Sequence, residues 1–246
     1  PVNTALGNYI YNRTDLSITT RSYPLTFSRA YNSLNPVDGP LGFGWTHSYN
    51  IFAVESSNDG AVTITYGDGR TVRFMWDGAG YIAPPGIFAT LVKSGGTFAL
   101  TEKDQTVLAF DPSGRLLTIA DKNGNSTSLS YLDNRLVSVT EPGGRALHFS
   151  YNSDNRLAQV ADPLKRIIGF TYSAVGDLVS SVDVRGQTTT YAYDSGHHLT
   201  SITDARNDTF VTNVYNAEGR VSQQLDAENH LTVFSYDTIA HVSTVT

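Results

Sequence analysis

The chain has 246 residues, a formal net charge of −6, 16% charged residues and no cysteine. The acidic balance argues against a nucleic-acid partner, which needs a basic face, and the lack of cysteine excludes disulfides, thiolate metal sites and a cysteine nucleophile. The 51 serines and threonines, with 14 tyrosines and 11 phenylalanines, favour strands over helices, and no apolar run approaches the ~18 residues that cross a bilayer.

The first 109 residues form a predicted β-rich N-terminal segment. Residues 43–51 alternate between bulky and small polar side chains, which predicts one strand. The side chains expected on its bulky face are Phe43, Trp45, His47, Tyr49 and Ile51. Residues 62–66 with 71–75, and 97–101 with 106–110, are predicted hairpins, and residues 78–86, with two adjacent prolines, are a predicted loop.

Residues 110–246 contain about six and a half repeats of 20–22 residues, in which three columns of residues keep the same period. The tyrosine column is Tyr131, Tyr151, Tyr172, Tyr193, Tyr215 and Tyr236, with Phe110 in the slot before it. The acid column is Asp121, Glu141, Asp162, Asp183, Asp204 and Asp226. The aliphatic column is Leu116, Leu136, Leu157, Leu178, Leu199, Val221 and Val242.

Each repeat is predicted to be one β-hairpin. In the repeat that begins at Leu136, residues 136–140 are the first arm and residues 146–151 the second. The second arms alternate regularly, so that Phe149 and Tyr151 share a face. In the first arms, apolar residues three positions apart would fall on opposite faces of a regular strand. A β-bulge or a strong local twist would bring them to one face, at a position that the pattern does not specify.

The acid column is predicted to cap tight turns. Asp121 and Gly124 hold the first and fourth positions of such a turn, where an aspartate side chain caps the backbone and glycine accepts a positive φ. The slot of Gly124 holds glycine or asparagine in five of six repeats, at positions 124, 144, 186, 207 and 229. Similar turns at the other end of each hairpin predict that successive hairpins lie side by side in one antiparallel sheet.

The repeats supply about 12 strands and the upstream region about six more, which at about 4.8 Å per strand gives a sheet about 85 Å wide. A sheet of that width is expected to curl. A propeller would need blades of four strands and a period of about 40 residues, and adjacent repeats show no odd–even difference. We therefore expect an all-β fold with essentially no helix, in which a large curved antiparallel sheet of tandem β-hairpins (residues 110–246) is continuous with the segment of residues 1–109.

The repeat pattern Gly-Arg-Leu, Asp-x-x-Gly, Tyr-x-Tyr-Asp resembles the RHS or YD (tyrosine–aspartate) repeat of bacterial proteins. It is visible at Gly114-Arg115-Leu116, at Asp121 and Gly124, and at Tyr191-Ala192-Tyr193-Asp194. The segment that precedes such repeats in bacterial RHS proteins is similar to residues 1–8, 14–16, 24–33 and 42–45. The departures are Asp177, His198 and His241 in the arginine slot, and Leu132 and Ser173, which precede or replace the expected acid.

The resemblance implies a β-sheet strip that spirals into a hollow RHS shell. In such proteins the shell encloses a C-terminal toxin domain until delivery, by a type VI secretion system or within a Tc-type toxin complex. It implies that this chain is a non-enzymatic encapsulation wall of a polymorphic toxin. The implied partners are the C-terminal toxin cargo, the remaining RHS repeats and secretion-system components, with no nucleic acid and no membrane insertion. The implied location is that of an effector made in the cytoplasm and then secreted or delivered. The alternative is a cell-surface adhesion or glycan-binding YD-repeat module.

Two sets of acids could carry chemistry, and each has a structural interpretation that we prefer. Asp111-Pro112-Ser113-Gly114 resembles the Asp-Pro-x-Gly element with which such shells cut their toxin free, but it lies in the first repeat, where it already makes a good turn. The acid column supplies one carboxylate per turn, whereas calcium needs about six to eight oxygens. We therefore predict turn capping for both sets.

The histidines and aromatic rows are likewise predicted to be structural. His47 is expected to be a hydrogen-bonded core residue, with a ligand shelf beside Trp45 and Tyr49 as the lesser alternative, and His197 and His198 to be solvated in a turn. Cross-strand aromatic pairs stabilise a sheet by about 0.2–1 kcal/mol each, which we prefer to sugar binding. We predict no catalytic, cofactor-binding or metal-binding residue, and no cofactor.

The two ends of the sequence suggest a piece of a longer protein. The chain starts at Pro1, without methionine or the pattern of a signal peptide, which indicates processing or excision. Residues 241–246 are expected to be an unpaired sheet edge that either self-associates or is covered.

Overall fold

The computed structural model describes residues 1–20, 23–237 and 242–246. Every regular element in these ranges is a β-strand, which confirms the all-β prediction. None of the described residues lies in a helix that could cross a membrane.

A four-stranded antiparallel sheet begins the chain. Its strands are β1 (Val2–Asn3), β2 (Asn8–Ile18), β3 (Leu25–Asn32) and β6 (Trp45–His47). Between β3 and β6, the short strands β4 (Asp38–Gly39) and β5 (Gly42–Phe43) form a separate two-stranded pair. The order in the sheet is β1-β2-β3-β6. In the β2–β3 pair the register shifts between Thr14 and Leu16, which leaves Asp15 as a bulge.

Residues 43–51 do not form the single strand that their alternation predicts. The strand breaks at Gly44, whose φ of 72° is a left-handed conformation. A Cβ atom at Gly44 would lie 2.7 Å from the ring of Tyr31, so a larger residue does not fit there. The strand prediction was wrong, although Trp45, His47 and Tyr49 are all buried.

A second four-stranded sheet follows. Its strands are β7 (Phe52–Glu55), β8 (Val62–Thr65), β9 (Thr71–Trp76) and β10 (Tyr81–Ile82). They pair in the order β10-β9-β8-β7, which confirms the predicted hairpin formed by β8 and β9. The predicted loop of residues 78–86 is interrupted by β10, which pairs with the end of β9.

The remaining strands form one sheet of 16, in which each strand pairs with the next in chain order. They are β11 (Thr90–Ser94), β12 (Thr97–Thr101), β13 (Val107–Phe110), β14 (Leu116–Ala120), β15 (Ser126–Leu132), β16 (Arg135–Thr140), β17 (Ala146–Tyr151), β18 (Leu157–Ala161), β19 (Ile167–Tyr172), β20 (Leu178–Val182), β21 (Thr188–Tyr193), β22 (Leu199–Thr203), β23 (Thr209–Tyr215), β24 (Val221–Asp226), β25 (Leu231–Asp237) and β26 (Val242–Val245). The tandem hairpins are confirmed. The sheet is narrower than expected, because most of the upstream strands belong to the smaller sheets.

The N-terminal segment packs on the apolar face of the long sheet, and the two share one core. The ring of Phe27 lies 5.9 Å from that of Phe149 and 6.0 Å from that of Phe170. Near opposite ends of this contact, the Ala53 N–H donates to the Gly114 carbonyl at 2.8 Å, and the Val221 N–H donates to the Gly7 carbonyl at 2.8 Å. The apolar face of the repeats is therefore covered by the chain's own first sheets.

A β-bulge in the first arms β14, β16, β18, β20, β22 and β24 resolves the mismatch in their alternation. Tyr131 faces Leu136 while Ser130 faces Ser138, so Val137 is an extra residue. The equivalent extra residues are Leu117, Ala158, Val179, Thr200 and Ser222. Because the extra residue shifts the alternation by one, Leu136 and Val139 both reach the core.

Candidate functional site

The tyrosine column ties the two arms of each hairpin together. Every hydroxyl of the column donates a hydrogen bond of 2.6–3.0 Å to a carbonyl oxygen of the aliphatic column, 15 or 16 residues earlier. The pairs are Tyr131 with Leu116, Tyr151 with Leu136, Tyr172 with Leu157, Tyr193 with Leu178, Tyr215 with Leu199 and Tyr236 with Val221. We call this contact the tyrosine brace.

The brace belongs to the same irregularity as the bulge. Tyr151 lies on β17 and pairs through its backbone with Leu157 on β18, while its hydroxyl donates to the Leu136 carbonyl on β16. One residue therefore links three neighbouring strands. Burial raises the pKa of Tyr151 to about 12, so the hydroxyl stays protonated and able to donate at neutral pH. The structural role predicted for the aromatic rows is confirmed.

The acid column caps its turns as predicted. Each carboxylate accepts two backbone N–H groups, two and four residues further on, at 2.8–3.2 Å. The fourth turn position has a positive φ in all six turns, including Lys165 at 63°, where the sequence offers neither glycine nor asparagine. The hydrogen bond from the Gly143 N–H, followed by that from Arg145, lowers the pKa of Glu141.

Asp111 is also a turn cap. Its Oδ1 accepts the N–H groups of Ser113 and Arg115 at 2.9 Å each, and its Oδ2 accepts Arg115 Nε at 2.7 Å. Burial opposes ionisation, but the hydrogen bonds from the Arg115 backbone and side chain prevail and lower the pKa of Asp111. Both oxygens are engaged in the turn, as the turn interpretation predicts.

Arginines cover the tyrosine column at one end of the hairpins. The guanidinium carbon lies 5.3 Å from the ring centroid for Arg115 over Tyr131, and 5.7 Å for Arg135 over Tyr151. Each guanidinium also donates to an asparagine at the positive-φ position of the next turn. These bonds are Arg115 Nη1 to Asn134 Oδ1 at 2.8 Å and Arg135 Nη1 to Asn155 Oδ1 at 2.9 Å.

We call this row of arginines over the tyrosine column the arginine ladder. In one repeat an acidic residue takes the place of the arginine. Asp177 stands in the arginine slot, and its Oδ1 lies 2.8 Å from Nδ1 of His197, the positive-φ residue of the next turn. The two departures from the repeat pattern therefore compensate each other. The ring of His197 stacks on that of Phe43 with centroids 3.8 Å apart, and the ring of His198 stacks on that of Tyr215 at 4.8 Å.

The prediction that His197 and His198 are solvated was therefore wrong, because both side chains are half-buried by aromatic rings. His47 matches its prediction: it is 2% exposed, and its Nδ1 accepts the Tyr49 N–H at 3.3 Å. Burial lowers the pKa of His47 to about 3, so its imidazole is neutral. His241 lies outside the described residues.

Arg29, on β3, is a buried cation that the sequence reasoning missed. Its Nε and Nη2 donate to the two carboxylate oxygens of Asp15 at 2.5 and 2.9 Å. Nη2 also lies 3.3 Å from the hydroxyl oxygens of Ser181 and Tyr191 on the long sheet. The signal was present, since Arg29 occupies an apolar slot of an alternating strand between Phe27 and Tyr31.

The open face of the long sheet carries no Asp, Glu, Lys or Arg side chain on its strands from β14 to β22. Along these strands the residues that alternate with the core positions are mostly serine, threonine, alanine and valine. Arg135 is a strand residue, but its guanidinium lies on the tyrosine side. About 25% of the residues of an average soluble domain are charged, so this face is unusually neutral.

The described residues contain no cluster of three or more His, Asp or Glu side chains that could hold a metal ion. A cavity of about 520 Å³ lies between the N-terminal segment and the arginine ladder, lined among others by Arg115, Arg135 and Arg156. These arginines are already paired: Arg115 with Asp111, Arg135 with Asn155, and Arg156 with Asp38. The arginines of the cavity are therefore already engaged within the fold.

Comparisons with known families match two parts of the chain. A family described as a domain of unknown function (DUF6531) matches residues 1–74, and the RHS repeat family matches residues 132–167 and 172–209. The chain is an RHS-repeat protein. The two matched RHS segments contain the tyrosine braces of Tyr151, Tyr172 and Tyr193, so the brace is a feature of the repeat itself.

Solved structures similar to this RHS-repeat chain include TcdB2-TccC3-Cdc42, with 12% identity and a TM-score of 0.43 over 96% of this chain and 15% of that one. TcdB2-TccC3-TEV has 9% identity and a TM-score of 0.26 over 97% of this chain and 21% of that one. The RHS-repeat chain thus spans about a fifth or less of the length of these structures. No curated protein matches the chain.

Proposed function

We propose that this RHS-repeat chain is a wall segment of a bacterial toxin shell and that it works by enclosure rather than by catalysis. Its partners are a toxin domain carried at the C-terminal end of the parent protein and further RHS repeats of the same wall. The protein is made in the cytoplasm and leaves it as a secreted or delivered effector, with the secretion machinery as a further partner.

The observation that carries the proposal is the unbroken hydrogen-bonded ladder from β11 to β26. A barrier to proteases must leave no backbone gap through which a peptide can pass. Every strand of this sheet pairs with its neighbour, and the tyrosine braces add a second tie between the two arms of each hairpin. Local opening of such a sheet would break several bonds together.

The two faces of the sheet also suit a passive wall. The N-terminal segment covers the apolar face of the sheet, so this face does not present a broad apolar surface to an enclosed toxin domain. On its strands between β14 and β22 the open face offers no Asp, Glu, Lys or Arg side chain with which a polypeptide could form ion pairs. The tyrosine rings, which a glycan-binding use of the repeats would need, are half-buried and hold their hydroxyls on backbone carbonyls.

Limited proteolysis of the full parent protein tests the proposal. We expect the region C-terminal to these repeats to resist digestion in the intact protein and to be cut rapidly when it is expressed alone. A Tyr151→Ala/Tyr172→Ala double variant should make it susceptible, whereas Leu164→Ala, at a 74% exposed turn position, should not. Equal susceptibility of that region inside and outside the intact protein would refute enclosure.

A further inference from the structure

A cleft lies where the second sheet meets the long sheet, outside the repeats. It has a volume of about 360 Å³, within the range of about 300–1,000 Å³ for small-molecule sites. Its lining includes Trp76 at the end of β9, Tyr81 on β10, and Leu91 and Lys93 on β11. Nothing in the wall function requires it.

Two aromatic rings form the apolar side of the cleft. The centroids of Trp76 and Tyr81 are 5.0 Å apart and the ring planes are inclined at 58°. Trp76 is 43% exposed, whereas Trp45, the other tryptophan of the chain, is 2% exposed. Trp45 is buried by the fold itself, whereas Trp76 remains open to solvent in a concave site. This exposure indicates that a ligand covers the Trp76 ring.

An ion pair supplies the polar groups. Glu55 Oε1 and Oε2 each lie 2.7 Å from Lys93 Nζ, and the Tyr81 hydroxyl lies 3.5 Å from Glu55 Oε1. The pair carries no net charge, yet it places a hydrogen-bond acceptor beside a donor. Both side chains are about one-third exposed, 37% for Glu55 and 36% for Lys93, so they are reachable from solvent.

We propose that this cleft binds a neutral pyranose unit of a glycan. One face of a pyranose ring is apolar C–H surface that packs on an aromatic ring, and its edge carries neighbouring hydroxyls that both donate and accept. Those hydroxyls match the Glu55–Lys93 pair without breaking it, whereas a charged ligand would compete with one member of the pair, and an apolar side chain would cover both members without bonding to either. The proposal is independent of the enclosure function.

Calorimetric titration with maltopentaose and with N-acetylchitopentaose tests it. We expect saturable binding of at least one of them, with a dissociation constant of about 1 mM or tighter, and a blue shift of tryptophan emission that arises from Trp76, since Trp45 is already buried. Trp76→Ala should weaken binding at least about tenfold, and Glu55→Gln should also weaken it. Met75→Ala, a 48% exposed neighbour outside the cleft lining, should leave it unchanged in an equally folded protein.

Three outcomes would overturn the proposal. The first is the absence of saturable heat with either sugar up to about 10 mM, a range that covers the weakest specific sites. The second is binding that survives Trp76→Ala or leaves the emission unshifted, which would put the sugar elsewhere. The third is tighter binding of pentagalacturonate, an acidic sugar, or of an apolar peptide, which would reject a neutral pyranose as the occupant.

Discussion

Arg29 and Asp15 form a fully buried ion pair, with side chains 0% and 2% exposed, at the surface where the N-terminal sheet meets the repeats. The Nη1 of Arg29 has no hydrogen-bond partner in the described part of the chain, so the cation depends on Asp15 for its compensation. The rings of Trp45 and Phe170, 5.3 and 5.1 Å from the guanidinium carbon, add attraction from two sides.

Removing the carboxylate should therefore be costly. We expect Asp15→Asn to lower the free energy of unfolding by about 3–5 kcal/mol, because it leaves a buried guanidinium uncompensated. Arg13→Met is the control: Arg13 lies 3.3 Å from the same carboxylate but is 33% exposed, and its loss should cost less than about 1 kcal/mol. Urea unfolding measures both, and equal small effects would show that the pair is not what holds the segment.

The tyrosine brace predicts a difference between losing a hydroxyl and losing a ring. Tyr172→Phe should cost about 1 kcal/mol, the usual value of one hydrogen bond, and Tyr172→Ala about 3–5 kcal/mol, because it also leaves a cavity. Thermal and urea unfolding measure the two steps. Tyr23→Phe, at a 44% exposed ring, should change stability by less than about 0.5 kcal/mol. A Tyr172→Ala protein as stable as the parent would contradict the brace.

Two glycines with nearly the same φ separate backbone strain from packing. Gly114 has φ 80° and Gly124 has φ 81°. A Cβ at Gly114 would lie 1.8 Å from the Ala53 carbonyl oxygen, whereas a Cβ at Gly124 would meet nothing within 4 Å. We expect Gly124→Ala to cost about 1 kcal/mol, from strain alone, and Gly114→Ala to cost at least about 4 kcal/mol, because it also separates β7 from the long sheet.

Loss of that junction has its own signature. Amide exchange of β7 to β10 should accelerate in Gly114→Ala and stay at the parent rate in Gly124→Ala. Comparable stability and exchange in the two variants would mean that the contact between Ala53 and Gly114 does not hold the second sheet.

His47 predicts how stability depends on pH. Its pKa is about 3 in the folded protein and about 6.5 in an unfolded chain, so between these values the unfolded state binds the extra proton. The contribution of His47 to the free energy of unfolding is therefore fully present above about pH 6.5. It falls by about 1.4 kcal/mol for each pH unit below that value, down to about pH 3. Unfolding curves from pH 7 to 4 measure the slope. His47→Phe should remove this component while the carboxylate contributions remain, and an unchanged slope would contradict it.

The repeat was predictable because its determinants are local. A tyrosine, an acid at a turn and an aliphatic residue recur at fixed spacing, and each acts within one or two hairpins, so their period and even the turn type follow from the sequence. The bulge at Val137 was implied by the parity of Leu136 and Val139, but its position depends on pairing with Tyr131, which no single strand reveals.

The contacts between the two halves were not predictable in this way. Arg29 and Tyr191 are 162 residues apart, and Trp45 and Tyr193 are 148 residues apart. Contacts between residues so far apart produce no periodic pattern in the sequence. The sequence therefore predicted one wide sheet, whereas most of the upstream strands form smaller sheets that pack on the face of the long sheet. The strand break at Gly44 also depends on a non-local contact, because the nearby Tyr31 ring leaves no room for a larger residue there.

Every brace spans 15 or 16 residues and joins the two arms of a single hairpin unit. Duplicating or deleting a whole unit therefore leaves the bonds of all other units intact, whereas an insertion of a few residues severs the link at that point. A gene that encodes such an array can lengthen or shorten it in single steps, and the protein can change its capacity during evolution without passing through an unstable intermediate.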